Sequence, residues 1–269
     1  MGKIEYKPRR IDDLLIVEGL CGIAQLDKEP STRNTWFVVG GIATQSYLPS
    51  RCRRPTSDID LALLTPLSYS DFKKYSKPVR EYLGDKGFNV EEKKGHNAYM
   101  IIYTQEEQRG VIEFSRRNKK KISKVIKRLE DELENSRVKI VEGRNESYRV
   151  SSPEDIVSPK IVRGIRALKE YEELEAYLKN AYPITDDGIE RDLRKIDEIR
   201  EEARMLNDDL SLVTRLRFAA DVYDIKVLSE LTGFNIEYLK KSMSRWDSLQ
   251  EDSPEKRKII SCLLPFLDF

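Results

Sequence analysis

The spacing of hydrophobic residues differs between the first 150 residues and the rest of the chain. Residues 11–26 carry apolar side chains three and four positions apart, which predicts an amphipathic helix. Residues 35–39 form a continuous run of strand-forming residues that ends at Gly40-Gly41. The same reasoning predicts further helices at residues 42–48, 69–83 and 116–135, and further strands at 58–64, 88–92, 98–103, 110–115, 138–141 and 147–150.

The pattern changes at Ser151-Ser152-Pro153-Glu154, where serine followed by proline and glutamate is typical of a helix start. Helical spacing then continues, and it predicts helices at residues 153–180, 187–206, 210–228, 235–246 and 254–267. We therefore predict two domains, 1–150 and 151–269. The fold class is α/β (α+β), a mixed-sheet core followed by an α-helical C-terminal domain.

Composition and charge limit the kinds of binding site and catalytic chemistry that the chain can have. Hydrophobic residues make up 39% and charged residues 35% of the chain, and 48 basic against 47 acidic side chains leave a net charge of +1, so any site for a polyanion must be local. Three cysteines with no close pair, Cys21, Cys52 and Cys262, are predicted to be reduced. His96 is the only histidine, which argues against a zinc site or a serine triad.

The sequence carries no membrane or export signal that we recognise. Residues 1–10 lack the apolar segment of a signal peptide, and no apolar run approaches the roughly 18 residues of a membrane span. The expected location is therefore the cytoplasm, with no membrane partner.

Two acidic residues open the predicted strand at residues 58–64. Alternate residues of a strand point to the same side, so Asp58 and Asp60 are predicted to face one place. Two neighbouring carboxylates on an otherwise apolar strand are costly unless a cation neutralises them, and oxygen ligands suit Mg²⁺ or Mn²⁺. The alternative is ordinary polarity at a strand edge.

Two neighbouring features favour a phosphate-bearing ligand. Gly40-Gly41, between a strand and a helix, permits a tight turn and close approach of backbone N–H groups to a phosphate, although such a pair is also common as a plain turn. Arg53 and Arg54 belong to a basic loop that leads into Asp58. They either face an anionic substrate or form a solvated loop.

In combination, Val39-Gly40-Gly41-Ile42-Ala43 and Arg54-Pro55-Thr56-Ser57-Asp58-Ile59-Asp60-Leu61 resemble the nucleotidyltransferase superfamily related to polymerase β, and most of all its AbiEii toxin-type branch. The resemblance covers residues 37–174. It implies a polymerase β-like core, and it implies that a third carboxylate on a later strand completes the metal site. Glu113 is the candidate, where aspartate is commoner, and Glu106 and Glu107 compete with it.

The branch also carries a lysine and an acidic pattern on later helices. Lys160 matches the lysine, and the resemblance implies that it binds the triphosphate. In the segment Arg166–Leu174, Glu170 and Glu173 stand where the family has aspartates, and the alternative is a charged helix face.

The resemblance implies a metal-dependent nucleotidyltransferase that transfers an NMP from an NTP to a hydroxyl group. Asp58, Asp60 and Glu113 would be the catalytic residues and the ligands of Mg²⁺ or Mn²⁺. The nucleotide-binding residues would be Gly40, Gly41, Arg54, Ser57 and Lys160. The acceptor is an RNA such as tRNA, a protein or a small molecule, and the chain would be a toxin with an antitoxin protein as partner. The alternatives are an antibiotic-modifying enzyme and a non-catalytic nucleotide- or partner-binding module.

Two further groups of residues have competing interpretations. The cations of residues 116–121 stand at a predicted helix start, where they oppose the helix dipole, so they are either an RNA contact or a solvated surface. Five aromatic residues of the C-terminal half have helical spacing, which predicts that they lie in the bundle core rather than stack on bases: Tyr177, Tyr182, Phe218, Tyr223 and Phe234.

Overall fold

The computed structural model describes residues 7–117, 119–179, 184–206 and 209–267. These residues form two compact units, each with its own core. The first contains the residues up to Ser46 together with Arg53–Ser152, and the second contains Tyr47–Cys52 together with the chain from Pro153 onward. The chain is thus an α/β protein with a helical C-terminal part, as the sequence predicts.

The first unit is built on one mixed sheet of seven strands. The strands are β1 (Trp36–Val39), β2 (Ile59–Leu63), β3 (Asn89–Lys94), β4 (Ala98–Gln105), β5 (Gln108–Ser115), β6 (Arg137–Ile140) and β7 (Ser147–Val150). Their order across the sheet is β3-β4-β5-β2-β1-β7-β6. The pairs β2–β5 and β1–β7 are parallel, and the other neighbours are antiparallel. Every predicted strand is present with small shifts at its ends.

The helices of the first unit cover both faces of this sheet. They are α1 (Leu14–Ala24), α2 (Gly40–Gln45), α3 (Tyr69–Tyr75), α4 (Lys77–Asp85) and α5 (Lys119–Glu134). Phe72 of α3 packs on Phe114 of β5, and Gly19 of α1 abuts Ile59 of β2. On the other face, α5 buries Ile122 and Leu129 against a cluster that includes Ala62 of β2.

The second unit is helical. Its helices are α6 (Pro153–Glu170), α7 (Asp186–Met205), α8 (Leu210–Thr232), α9 (Ile236–Ser244), α10 (Asp247–Gln250) and α11 (Pro254–Leu263). The segment Tyr47–Cys52 joins them because Leu48 and Cys52 are buried and the Tyr223 hydroxyl donates to the Cys52 carbonyl at 2.8 Å. The sequence did not predict that this short segment belongs with the helices.

Two predicted helices are divided in the structure. The helix predicted at residues 69–83 is two helices, because Pro78 near the start of α4 has no N–H to continue the hydrogen-bond ladder across Ser76. The helix predicted at 153–180 ends at Glu170, since Tyr171 is extended and a 3₁₀ turn follows at Glu172–Tyr177. Its predicted last residue, Asn180, lies outside the described residues.

The length and apolar character of the helices test the prediction that no segment spans a membrane. Within the described ranges, none of the helices combines the length and the apolar character needed to cross a bilayer.

Candidate metal centre

Three carboxylates converge where β2 and β5 lie side by side. Asp60 and Glu113 are register partners in this parallel pair, and Asp58 precedes Asp60 by two positions. One carboxylate oxygen from each of the three residues lies within 4.8 Å of the others, and all three side chains are half-buried. The expectation that Asp58 and Asp60 face one place is met, and Glu113 rather than Glu106 or Glu107 joins them in this cluster.

The strand register explains why α5 lies beside this cluster. Asp60 and Ala62 are on one face of β2, and Val39 of β1 pairs with Asp60 while Phe37 pairs with Ala62. Phe37, Ala62 and Val39 belong to the apolar cluster on which α5 packs. The carboxylates therefore occupy the same sheet face as α5, just beyond its apolar contact.

The donor set fits a hard divalent cation. Burial, and after it the negative charge of Asp58, raises the pKa of the Glu113 carboxyl above its usual range, which means that the crowded carboxylates are unfavourable on their own. Carboxylate oxygens are the ligands preferred by Mg²⁺ and Mn²⁺. A divalent ion held by Asp58, Asp60 and Glu113 would offset this repulsion.

The glycine bend lies directly against the carboxylates. Gly40 follows β1 with φ of +72°, in the region that favours glycine, and a Cβ at this position would collide with the Asp60 carboxylate. A Cβ at Gly41 would lie 2.7 Å from the Thr56 Oγ1, and this hydroxyl donates to Asp58 Oδ1 at 3.5 Å. Close contacts with Asp60 and Thr56 therefore favour glycine at both positions, and the positive φ favours it at Gly40 as well.

We expect Gly40→Ala to weaken divalent-metal binding and to lower the free energy of unfolding by about 1–2 kcal/mol, because it combines a left-handed φ with a clash against Asp60. Gly143→Ala is the matched control, because Gly143 has φ of +70° and nothing within 4 Å of a Cβ. Mn²⁺ titration and denaturant unfolding measure both effects. Equal metal affinity in the two variants would contradict the close packing of Gly40 on Asp60.

The residues of the basic loop before β2 differ in their contacts: Arg53 has a structural ion pair, whereas Arg54 and Ser57 remain candidates for nucleotide binding. Arg53 donates to Glu142 at 2.8 Å and its side chain is only 14% exposed, so it anchors the loop within the first unit. Arg54 is half-buried, and Ser57 is exposed next to Asp58. Nucleotide binding by Arg54 and Ser57 stays a prediction.

Lys160 lies in the helical unit, where its ammonium is already neutralised. It is 3% exposed, and Nζ donates to Asp221 at 2.9 Å and to Asp224 at 2.7 Å. Burial raises the pKa of Asp221, but Lys160 and Arg163 outweigh burial and lower it to about 2. These contacts describe a structural ion-pair network, and triphosphate binding by Lys160 stays a prediction that they do not support.

The two acidic residues of the pattern after Lys160 lie in different elements. Glu170 is the last residue of α6, whereas Glu173 lies in the following 3₁₀ turn, and both are exposed. They do not share one continuous helix. Their role stays a prediction.

Two residues near the carboxylates were not predicted from the sequence. Thr56 contacts both Gly41 and Asp58, as described above. Ser115 stands two positions after Glu113, and its Oγ accepts the Leu63 N–H at 3.2 Å and an Arg117 N–H at 2.8 Å. Strand alternation on β5 was a sufficient signal for Ser115, because Glu113 and Ser115 share a face.

Comparison with known proteins shows a weak likeness to solved structures. No protein-family model matches the sequence, and no curated protein matches it. A solved structure of an antigenic nucleotidyltransferase-like protein from Paracoccidioides brasiliensis has a TM-score of 0.40 and 17% identity, and the match covers 60% of this chain and 70% of that chain.

Proposed function

We propose that this protein is a Mg²⁺- or Mn²⁺-dependent nucleotidyltransferase of the polymerase β-like superfamily, as the sequence motifs suggest. The observation that carries the proposal is the convergence of Asp58, Asp60 and Glu113 on one sheet face, against a glycine bend. In the reaction, an acceptor hydroxyl oxygen bonds to the α-phosphorus of an NTP. The bond from that phosphorus to the bridging oxygen breaks, pyrophosphate leaves, and the hydroxyl proton passes to solvent or to a nearby base.

The residues present have distinct parts in this chemistry. When bound, a divalent ion would polarise the phosphoryl oxygens and lower the pKa of the attacking hydroxyl. Asp58, Asp60 and Glu113 would hold this ion through one carboxylate oxygen each. The absence of side chains at Gly40 and Gly41 lets Asp60 and Thr56 pack directly against the bend, which keeps its backbone next to the acids. Phosphate binding by Gly40 and Gly41 is part of the proposal. Arg54 is the candidate to balance the charge on the phosphates.

Incubation of the purified protein with each α-labelled NTP, Mn²⁺ or Mg²⁺ and total RNA tests the proposal. We expect label to be transferred to an acceptor only with the metal present, and with Asp58 and Asp60 intact. Binding of metal and NTP with no transfer to RNA, protein or small molecules would overturn the enzymatic proposal in favour of a non-catalytic module.

RNA is the acceptor that a specific surface favours. Lys120, Lys124 and Lys127 are exposed on α5 at spacings of four and three, so they share one helix face, which we call the α5 lysine face. This helix packs on the same sheet face as the carboxylates. Side chains that hold phosphates by charge supply most of the sequence-independent affinity for RNA.

The cations of residues 116–121 differ in their contacts: the arginines contact the protein, whereas the lysines are exposed. Arg116 donates to the carbonyls of Gly95 and His96 and lies over the Tyr99 ring, and Arg117 donates to Ser115. The lysines from 119 to 121 are exposed, and Asn118 lies outside the described residues. The lysines, rather than the arginines, are therefore the candidates for RNA contact.

We expect Lys120→Glu, Lys124→Glu and Lys127→Glu together to reduce label transfer to RNA at least about tenfold at low salt, because reversing three phosphate contacts removes both attraction and counterion release. Metal and NTP binding should be unchanged. The control is Lys74→Glu, Lys77→Glu and Lys86→Glu, an equal charge change at exposed lysines of or beside α3 and α4. Undiminished transfer by the first variant, or equal loss in the control, would contradict an RNA contact on α5.

The toxin role, an antitoxin partner and antibiotic modification stay predictions from the resemblance. The same labelling reaction with aminoglycoside acceptors separates antibiotic modification from RNA modification.

A further inference from the structure

We propose that a cavity in the helical unit binds a nucleoside phosphate, at a site separate from the carboxylate cluster. The cavity measures about 320 Å³, within the range of small-molecule sites, and α7, α8 and the end of the 3₁₀ turn line it. This proposal does not depend on the proposed transferase activity.

The lining carries an excess of positive charge. Lys179, Arg191, Lys195 and Lys226 are among the lining residues, and Asp192 is the only acid among the lining residues that the structure describes. Arg191 and Lys195 are four residues apart on α7, so they stand on the same side of that helix. Four cations against one carboxylate leave the lining with a net positive charge, which a phosphate with its two negative charges would reduce.

A buried lysine at the cavity gives the site a fixed charge. Lys226 is 4% exposed, and in the described part of the chain its Nζ donates to Asp192 at 2.9 Å. An ammonium has three N–H donors, so a single carboxylate leaves donor capacity at the cavity wall. A buried cation with free donor capacity is stabilised by an anionic ligand.

The remaining lining suits the uncharged part of a nucleotide. Ile196, Ala219 and Val222 are buried apolar residues, and the rings of Tyr177 and Tyr223 complete the wall. Phe218 and Tyr223 lie in the bundle as the sequence predicts, but Tyr177 is half-buried and lines the cavity, with Lys195 Nζ 4.2 Å from its ring centroid. Tyr182 lies outside the described residues. Aromatic and apolar walls bind base and ribose without reading a sequence.

The test uses the full chain with Asp58→Asn and Asp60→Asn in EDTA, so that the metal-dependent site does not contribute. We expect calorimetry to show that ADP binds more tightly than either pyrophosphate or adenosine, because only ADP uses both the charged and the apolar parts of the cavity. A 5′-phosphorylated trinucleotide, run in parallel, distinguishes a free nucleotide from an RNA end as the natural source.

Charge reversal locates the binding. In the Asp58→Asn, Asp60→Asn protein, the further changes Arg191→Glu and Lys195→Glu should weaken ADP binding at least about tenfold. They reverse the charge of two of the four cations that line the cavity. Lys240→Glu and Lys241→Glu make the same charge change at exposed positions of α9, outside the cavity lining, and should leave the affinity within about twofold. Equal affinity in both variants, or equal loss in both, would overturn the proposal.

Photolabelling with 8-azido-ADP followed by peptide mapping gives a readout independent of affinity. We expect the label on peptides from α7 or α8. Label confined to peptides from β1 to β2, or an absence of ADP binding in the EDTA experiment, would overturn the cavity assignment while leaving the transferase proposal to its own test.

Discussion

Asp58→Asn and Asp60→Asn are each expected to reduce nucleotidyl transfer at least about a thousandfold, because each removes a ligand from a cluster whose bound ion supplies several kcal/mol of transition-state stabilisation. The melting temperature without added metal should be equal or higher, since each change removes one negative charge from three crowded carboxylates. Burial, and after it the charge of Asp58, already raises the pKa of Glu113 in this cluster. Label transfer and thermal unfolding in EDTA measure the two effects.

The matched control is Glu107→Gln, which removes an acid that competed with Glu113 in the sequence and is exposed outside the cluster. It should keep full activity. A large loss of stability in both aspartate variants without metal would show that these acids have a structural role, and activity near that of the unchanged protein would refute their part in transfer.

Lys160→Met is expected to destabilise the protein by about 3–5 kcal/mol, because it leaves the buried carboxylates of Asp221 and Asp224 without their ammonium partner. The loss should be largest above the usual carboxyl range and should shrink as pH falls toward 2, because Lys160 helps to lower the pKa of Asp221 to about 2 and this contribution is lost at low pH. Chemical denaturation at several pH values measures it. Asp224→Leu added to Lys160→Met should restore part of the loss, since it removes one of the two buried charges that have lost the Lys160 ammonium, while Arg163 still pairs with Asp221.

Lys169→Met is the control for Lys160→Met, because Lys169 is an exposed lysine on the same helix. It should change the free energy of unfolding by less than about 0.5 kcal/mol. If Lys160→Met destabilises no more than this control, the ion-pair network is not the structural element described here.

Local patterns predicted most of the fold because they depend on short-range periodicity. The glycine bend and the carboxylates of β2 follow from strand alternation within a few residues. The breaks at Ser76 and Tyr171 were missed because hydrophobic spacing continues across them, while backbone geometry does not. The assignment of Tyr47–Cys52 to the helical unit depends on tertiary packing. The local sequence of this segment does not predict which unit it packs against.

The candidate site was predictable to different degrees. Asp58 and Asp60 share a face by strand period alone. The resemblance made Glu113 the candidate for the third carboxylate, but that it lies beside Asp60 depends on the register between β2 and β5, which sequence spacing does not fix. Lys160 matched a motif, yet its partners Asp221 and Asp224 lie on α8, about sixty residues away. Neither carboxylate could be assigned to Lys160 before the helices were packed.

Direct measurement of Mn²⁺ binding tests the central claim that Asp58, Asp60 and Glu113 form a metal site. Electron paramagnetic resonance titration should show saturable Mn²⁺ binding to the unchanged protein, and Mn²⁺ at about 100 times its dissociation constant should add about 2.7 kcal/mol to the free energy of unfolding. Both effects should be lost in Asp58→Asn with Asp60→Asn and kept in Glu107→Gln. Equal Mn²⁺ affinity and equal stabilisation in all three proteins would contradict the metal site.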